Sequence, residues 1–256
     1  MGSYVNVSGL RTYYETHGSG EPLVLLHGGL CTVESWELQT KVLSGHYEVY
    51  LPERRGHGRT PDVDGPLTYA AMAEDTVGFM DAIGLASAHL VGWSDGALVA
   101  ALTALRRPEA VRKLVLIGQY YTAEGMRPQA RALFDEPGEL ADALREPYAK
   151  VSPDGPEHFS VVLDKLLRLW RADPGLGLED LARISAPTLV MQGDDDMVRV
   201  EHSAAVAAAV PDAQLAVVPG TSHVLPLEKP DLVNRLILDF LAPQQVPKFL
   251  SLGSTP

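Results

Sequence analysis

Short, unbroken apolar runs recur along this chain and limit what it can fold into. The first are Leu23-Val24-Leu25-Leu26, Val49-Tyr50-Leu51, His89-Leu90-Val91 and Leu114-Val115-Leu116-Ile117. Thr188-Leu189-Val190-Met191 and Leu215-Ala216-Val217-Val218 follow. A run without polar alternation has no face to give to water, so it suits a strand covered on both sides in a parallel sheet. Helical patterns lie between the runs. Tyr69 to Ile83 is apolar at Met72, Val77, Phe79, Met80 and Ile83, and stops at Gly84, a suitable C-cap. Ala97 to Leu105 is small and apolar, as in a buried helix. Ser203 to Val210 is Ala-rich and stops at Pro211, and Leu232 to Leu241 places Leu232, Leu236 and Phe240 on one stripe. Tyr4 to Thr16, broken at Ser8-Gly9, reads as a β-hairpin. Strands alternating with helices predict an α/β fold with a mostly parallel sheet flanked by helices.

The alternation fails once. Residues 120–183 show no strand pattern and carry Pro128, Pro137, Pro147, Pro153, Pro156 and Pro174. Helical pieces are expected at Pro128 to Phe134, Glu139 to Lys150 and His158 to Ala172. This stretch reads as a helical cap inserted between two strands, with 1–119 and 184–242 as the core. Residues 243–256 have no periodicity and read as a C-terminal extension. A chain of 256 residues is within reach of a single-sheet α/β domain.

Charge narrows the function classes. Lys plus Arg is 21 against 33 for Asp plus Glu, a net charge of −12. Nucleic-acid binders usually present a basic face, so no nucleic acid is expected as partner, nor an anionic membrane surface. Cys31 is the only cysteine, which excludes an intramolecular disulfide and a Cys-based zinc site. No metal is expected. Met1 to Tyr14 lacks a signal pattern, and no apolar run approaches the roughly 18 residues of a spanning helix. The expectation is a cytoplasmic monomer or homodimer.

The chemistry concentrates at Gly92-Trp93-Ser94-Asp95-Gly96, a G-x-S-x-G between a strand run and a buried helix pattern. That context defines a nucleophile elbow, where the flanking glycines remove side chains that would collide with strand and helix. Serine needs a base near neutral pH. Of eight histidines, His223 directly follows the last strand run, in Pro219-Gly220-Thr221-Ser222-His223. A parallel sheet places that loop at the same edge as the elbow. His27 and His57 lie beside glycines in early loops and suit hydrogen bonding within them. An orienting carboxylate is expected between Ser94 and His223 in chain order. Gly193-Asp194-Asp195-Asp196 follows the strand run at 188–191, and spacing alone leaves three aspartates open. Asp196 is the candidate; Asp194 and Asp195 could instead favour the N-terminus of the next helix. An oxyanion needs N–H donors. Asp95 supplies one, and the loop His27-Gly28-Gly29-Leu30 the other, from Gly29 or, as the alternative, Leu30.

Together these motifs resemble the α/β-hydrolase superfamily along residues 7–241. They are His27-Gly28-Gly29, Arg55-Gly56-His57-Gly58-Arg59-Thr60, the elbow, Gly193-Asp194-Asp195-Asp196 and Gly220-Thr221-Ser222-His223, in that order. The resemblance implies an α/β-hydrolase fold with an eight-stranded, mostly parallel sheet and a helical cap. It also supports Asp196, which stands three residues after its glycine. Val91-Gly92-Trp93-Ser94-Asp95-Gly96-Ala97 is similar to the elbow of the biphenyl-hydrolase-like (valacyclovir hydrolase) subgroup, whose members hydrolyse α-amino-acid esters. In that subgroup the aspartate after the serine anchors the substrate ammonium. By that likeness Asp95 either binds a cation or accepts a hydrogen bond behind the nucleophile. His-Gly-Gly departs from the subgroup's first motif.

The expectation is a serine esterase acting on a small-molecule ester or lactone, with Ser94, His223 and Asp196 as triad and no cofactor. Leu30, Trp93, Asp95, Tyr120, Tyr121 and Trp170 are candidates to line the pocket, and Cys31 reads as a buried, inert thiol. Serine at 94 argues against the dehalogenase and epoxide-hydrolase branches, which use aspartate. C–C bond hydrolases, lactonases, thioesterases and cofactor-free haloperoxidases share the triad, so the fold cannot choose among them. A ligand receptor on the same scaffold is the reading from outside catalysis.

Overall fold

Every apolar run forms a strand of one sheet in the computed structural model, which describes residues 2–243 and 249. The strands are β1 (Gly2–Val7), β2 (Leu10–Gly18), β3 (Glu21–Leu26), β4 (Tyr47–Pro52), β5 (Ala88–Trp93), β6 (Val111–Ile117), β7 (Thr188–Gly193) and β8 (Ala213–Val218). Their spatial order is β1-β2-β4-β3-β5-β6-β7-β8. The β1–β2 hairpin and the β2–β4 pair are antiparallel, and all later pairs are parallel. The fold is thus an α/β-hydrolase fold with a mostly parallel sheet.

Alternate residues of the central strands feed two cores. Leu23, Leu25, Val91, Trp93, Val115 and Ile117 pack on one side with Trp36 and Ile237. Val24, Leu26, Leu90, Leu114 and Leu116 pack on the other with Met72, Phe79 and Leu98. This is why those runs lack polar alternation: both faces leave water. The edge strand β8 is different. Leu215 and Val217 are 41% and 36% exposed, so its apolar run does not mark burial on both faces.

The helices are α1 (Glu37–Leu43), α2 (Tyr69–Ala82), α3 (Asp95–Arg106), α4 (Pro128–Asp135), α5 (Gly138–Val151), α6 (Phe159–Arg171), α7 (Leu178–Leu181), α8 (Val200–Ala209), α9 (Leu225–Glu228) and α10 (Pro230–Leu241). Thr68 caps α2 by accepting from the Ala71 N–H at 3.1 Å. The stripe expected on the last helix is rotated. Val233, Ile237, Phe240 and Leu241 are buried in α10, whereas Leu232 is exposed. Helix α1 is too short to show a periodic signal and was not anticipated. Residues 120–183 carry α4 to α7 and no strand of the sheet. One isolated bridge, Met126 to Val198, ties them to the loop after β7. The extension expected at 243–256 lies, apart from Pro243 and Phe249, outside the described residues. Among the described residues no helix is long and apolar enough to cross a membrane.

Backbone contacts hold the elbow between β5 and α3. A Cβ on Gly96 would lie 2.0 Å from the Leu26 carbonyl oxygen, and one on Gly92 would lie 2.2 Å from the Gly96 oxygen. Neither obstacle is a flexible side chain. Gly96→Ala is therefore expected to lower the unfolding free energy by about 3 kcal/mol or more, at the upper end of overpacking effects. Urea denaturation reads this directly, and a wild-type midpoint would contradict the contact.

Candidate active site

Ser94 joins β5 to α3 with φ 56° and ψ −125°. A positive φ strains a non-glycine residue and persists only where surrounding contacts impose it. Here the Ser94 N–H donates to the Ile117 carbonyl at 2.8 Å, and its carbonyl accepts from Ala97 at 2.8 Å. The hydroxyl meets His223 Nε2 at 3.0 Å. His223 Nδ1 meets Asp196 Oδ1 at 2.8 Å, with the carboxylate side chain fully buried. Three loops at the carboxyl ends of β5, β7 and β8 thus deliver one hydrogen-bonded line.

Neighbouring bonds fix each loop. The Trp93 indole N–H donates to the His223 carbonyl at 2.9 Å. The Thr221 N–H donates to Asp194 at 3.1 Å, joining the aspartate loop to the histidine loop. Asp196 accepts from the N–H groups of Gly193 and Val198, each at 3.3 Å. Burial alone would raise its carboxyl pKa. The hydrogen bond and charge of His223, with those two N–H groups, outweigh burial and hold it below the usual value. Gly118, which sequence reasoning missed, lies alongside: a Cβ there would approach Asp196 Oδ2 to 3.1 Å and His223 Nδ1 to 3.2 Å.

Of the three aspartates, only Asp196 meets His223. Asp195 pairs with Arg127 at 3.0 Å, and Asp194 serves Thr221. The helix-dipole role considered for those two does not hold, because α8 begins only at Val200 and its first-turn acid is Glu201.

Gly28 and Gly29 run against the elbow. A Cβ on Gly28 would lie 3.5 Å from Ser94 Cβ, and one on Gly29 would lie 2.6 Å from Asp95 Oδ2. Among the described residues, the N–H groups of Gly29 and Asp95 have no acceptor within the protein. His27 and His57 bond within their loops: His27 Nδ1 meets the Gly28 carbonyl at 2.7 Å, and His57 Nδ1 the Arg55 carbonyl at 2.8 Å.

A cavity of about 270 Å³ opens beside Ser94. Trp93, Asp95, Tyr120 and Trp170 line it, as expected from the sequence. Leu30 and Tyr121 do not. Leu30 takes a left-handed backbone at φ 53° and packs into the core near Leu26. Tyr121 stacks on His202, and its N–H donates to His202 Nε2 at 3.0 Å. The wall also contains Phe134, Leu140, Leu144, Met197, Val224 and Leu227, none of them anticipated. Met197 and Val224 immediately follow Asp196 and His223, a signal that could have found them. Cys31 is half-buried and lines the cavity rather than being sequestered, and burial pushes its thiol up to about 11. Among the described residues, no Lys or Arg lines the cavity.

Asp95 is 3% exposed, and both its oxygens are engaged. Tyr69 donates its hydroxyl at 2.7 Å, and Trp170 its indole N–H at 2.9 Å. This favours the hydrogen-bond acceptor of the two roles weighed for Asp95, and it ties α6 to the elbow.

A serine, a histidine and an aspartate aligned at the carboxyl edge of such a sheet define a hydrolase of the α/β class. Residues 23–236 match the model of the alpha/beta hydrolase family, and the chain belongs to that family. It is 28% identical over 248 residues to a protein provisionally named carbamate hydrolase RutD from Azorhizobium caulinodans, covering 89% of this chain and 94% of that one. It is 30% identical over 270 residues to the 2-hydroxy-6-oxo-6-phenylhexa-2,4-dienoate hydrolase of Burkholderia cepacia, covering 92% and 93%. Among solved structures, a serine-to-alanine mutant of the meta-cleavage product hydrolase CumD of Pseudomonas fluorescens IP01, complexed with acetates, aligns with a TM-score of 0.77 at 27% identity, covering 93% and 96%.

Proposed function

We propose that the chain is a serine hydrolase that cleaves small, uncharged carboxylic esters or lactones through an acyl-enzyme. One observation carries the reading: the Ser94–His223–Asp196 line, at 3.0 and 2.8 Å, opens on a cavity that no Lys or Arg lines among the described residues. His223 Nε2 takes the hydroxyl proton as Ser94 Oγ attacks the carbonyl carbon. Asp196 holds the imidazole in the tautomer that leaves Nε2 free to accept, and stabilises the imidazolium. The N–H groups of Gly29 and Asp95 receive the oxyanion. His223 then protonates the departing alcohol. In the second half it draws a proton from water, which attacks the acyl-enzyme and releases acid and Ser94.

The relative named as a dienoate hydrolase acts, by its name, on a carboxylate. Among the described residues, a carboxylate in this cavity would meet no Lys or Arg. An unpaired charge taken out of water is strongly disfavoured, so the cavity suits neutral substrates. Ethyl hexanoate and monoethyl adipate test this, since their acyl chains share a carbon count and differ in a terminal carboxylate. The neutral ester is expected to have the higher kcat/KM by about 100-fold, equivalent to about 2.7 kcal/mol. L-Valine ethyl ester should gain nothing over the neutral ester, because the Asp95 oxygens are occupied. Equal or faster turnover of monoethyl adipate would overturn the reading. Two inert esters, with Ser94 still labelled by a fluorophosphonate, would favour C–C cleavage.

A further inference from the structure

Arg54 is a buried cation to which the proposed reaction assigns no role. It is 3% exposed, and among the described residues the carboxylate whose charge acts on it most, Asp95, makes no salt bridge with it. Its guanidinium donates to the carbonyls of His27 and Gly28, the second at 3.1 Å, while Nε has no partner. A guanidinium leaves water at considerable cost. Here its donors hold two carbonyls of the loop facing Ser94.

The Gly28 carbonyl is held from three sides. Besides Arg54 it accepts from the Cys31 N–H at 3.3 Å and from His27 Nδ1 at 2.7 Å. Arg54 also governs that last bond, because its backbone N–H donates to His27 Nε2 at 3.2 Å. With Nε2 accepting, the proton of the neutral ring sits on Nδ1 and points at the Gly28 oxygen. Burial, reinforced by the charges of Arg54 and His57, keeps the His27 pKa well below its ordinary value. Arg54 therefore acts on one carbonyl twice, directly and through His27.

A trans peptide unit is planar, with C=O and N–H pointing in opposite directions. Fixing the Gly28 oxygen fixes the direction of the Gly29 N–H. A cation on the carbonyl oxygen also draws electron density along the unit, which strengthens the N–H as a donor. We propose that Arg54 is the positioning residue of the oxyanion hole, orienting and polarising the Gly28–Gly29 peptide so that the Gly29 N–H meets the developing negative charge. The proposal rests on the reading of Ser94 as nucleophile and Gly29 as donor.

The test compares the full-length wild type with Arg54→Met and Arg54→Lys on p-nitrophenyl butyrate. It adds inhibition by butylboronic acid, whose Ser94 adduct places an oxygen at the oxyanion position. Arg54→Met should lower kcat by about 30- to 100-fold, less than the loss of a whole donor, with KM within about threefold. Boronate binding should weaken by a similar factor, and Arg54→Lys should recover roughly tenfold of the loss by restoring a cation. A merely structural arginine would raise KM along with lowering kcat and would weaken the boronate no more than the neutral competitor butanol. That result, or unchanged kcat, overturns the proposal. If Arg54→Met does not fold, Arg54→Lys and the Gly29 amide proton of the wild type decide: boronate binding should shift that signal downfield, and an unmoved signal counts against the role. Fluorophosphonate labelling separates the two levels. A wild type that is neither active nor labelled at Ser94 defeats the serine-hydrolase reading itself, whereas equal labelling of wild type and Arg54→Met defeats only the role of Arg54.

Discussion

Ser94→Ala is expected to cut ester turnover by about 10⁵-fold or more, with the fold intact and KM little changed. The hydroxyl is the atom that would bond to carbon, and no other side chain can replace it. Cys31 lines the same cavity, but burial raises its pKa to about 11, which keeps the thiol protonated near neutral pH, and among the described residues no imidazole or carboxylate is hydrogen-bonded to it. The backbone should tolerate the change. Alanine at φ 56° is no more strained than serine there, and the side chain gives up only its 3.0 Å bond to His223. What remains after substitution is acceleration from the oxyanion donors and from binding, which generally stays well above the rate in water. Initial rates on p-nitrophenyl butyrate, with thermal unfolding alongside, read both parts. More than about a hundredth of wild-type turnover would mean that another group attacks.

Asp196→Asn should cost about 10⁴-fold in kcat. The Asp196 carboxylate accepts from His223 Nδ1 at 2.8 Å and faces the Gly193 and Val198 N–H groups. An amide can offer Nδ1 a donor, which would place the imidazole proton on Nε2 and leave the Ser94 hydroxyl without an acceptor. The substitution also removes a linkage to pH. The folded-state pKa of Asp196 lies below that of the unfolded chain. Its contribution to stability is then complete above the unfolded value of about 3.9 and disappears as pH falls through the lower folded value. Wild type should lose that increment in strong acid, and Asp196→Asn should show no such loss. Urea midpoints measured from pH 6 downward test the sign, and identical pH dependence in the two proteins would remove the linkage.

Much of the fold is legible in the sequence because burial on both faces suppresses polar alternation. Leu23 to Leu26 and Thr188 to Met191 show this plainly. The same reasoning overreaches at β8, where Leu215 and Val217 are apolar yet exposed at the sheet edge. Ser94 and His223 could be placed from their position after strand runs. Asp196 could not be separated from Asp194 and Asp195 by spacing, since which carboxylate meets the imidazole depends on the path of a loop. The cavity wall was the least legible part. Phe134, Leu140, Leu144 and Trp170 come from three helices, and nothing in their spacing says which faces converge. Arg54 was invisible for a related reason: an arginine in a glycine-rich loop reads as a surface charge until its neighbours are known.

The glycine contacts around the elbow bear on how proteins of this kind diversify. Main-chain atoms of Leu26 and Gly96 meet where no side chain intervenes, so the backbone around Ser94 is held by main-chain contacts rather than by the side chains of the cavity wall. Four residues of the cavity wall, Phe134, Leu140, Leu144 and Trp170, come instead from α4, α5 and α6. Mutation can therefore exchange Phe134, Leu140 and Leu144 while Ser94, His223 and Asp196 stay in register, and libraries confined to these three positions, which leave the Trp170–Asp95 bond in place, should shift selectivity without rebuilding the site.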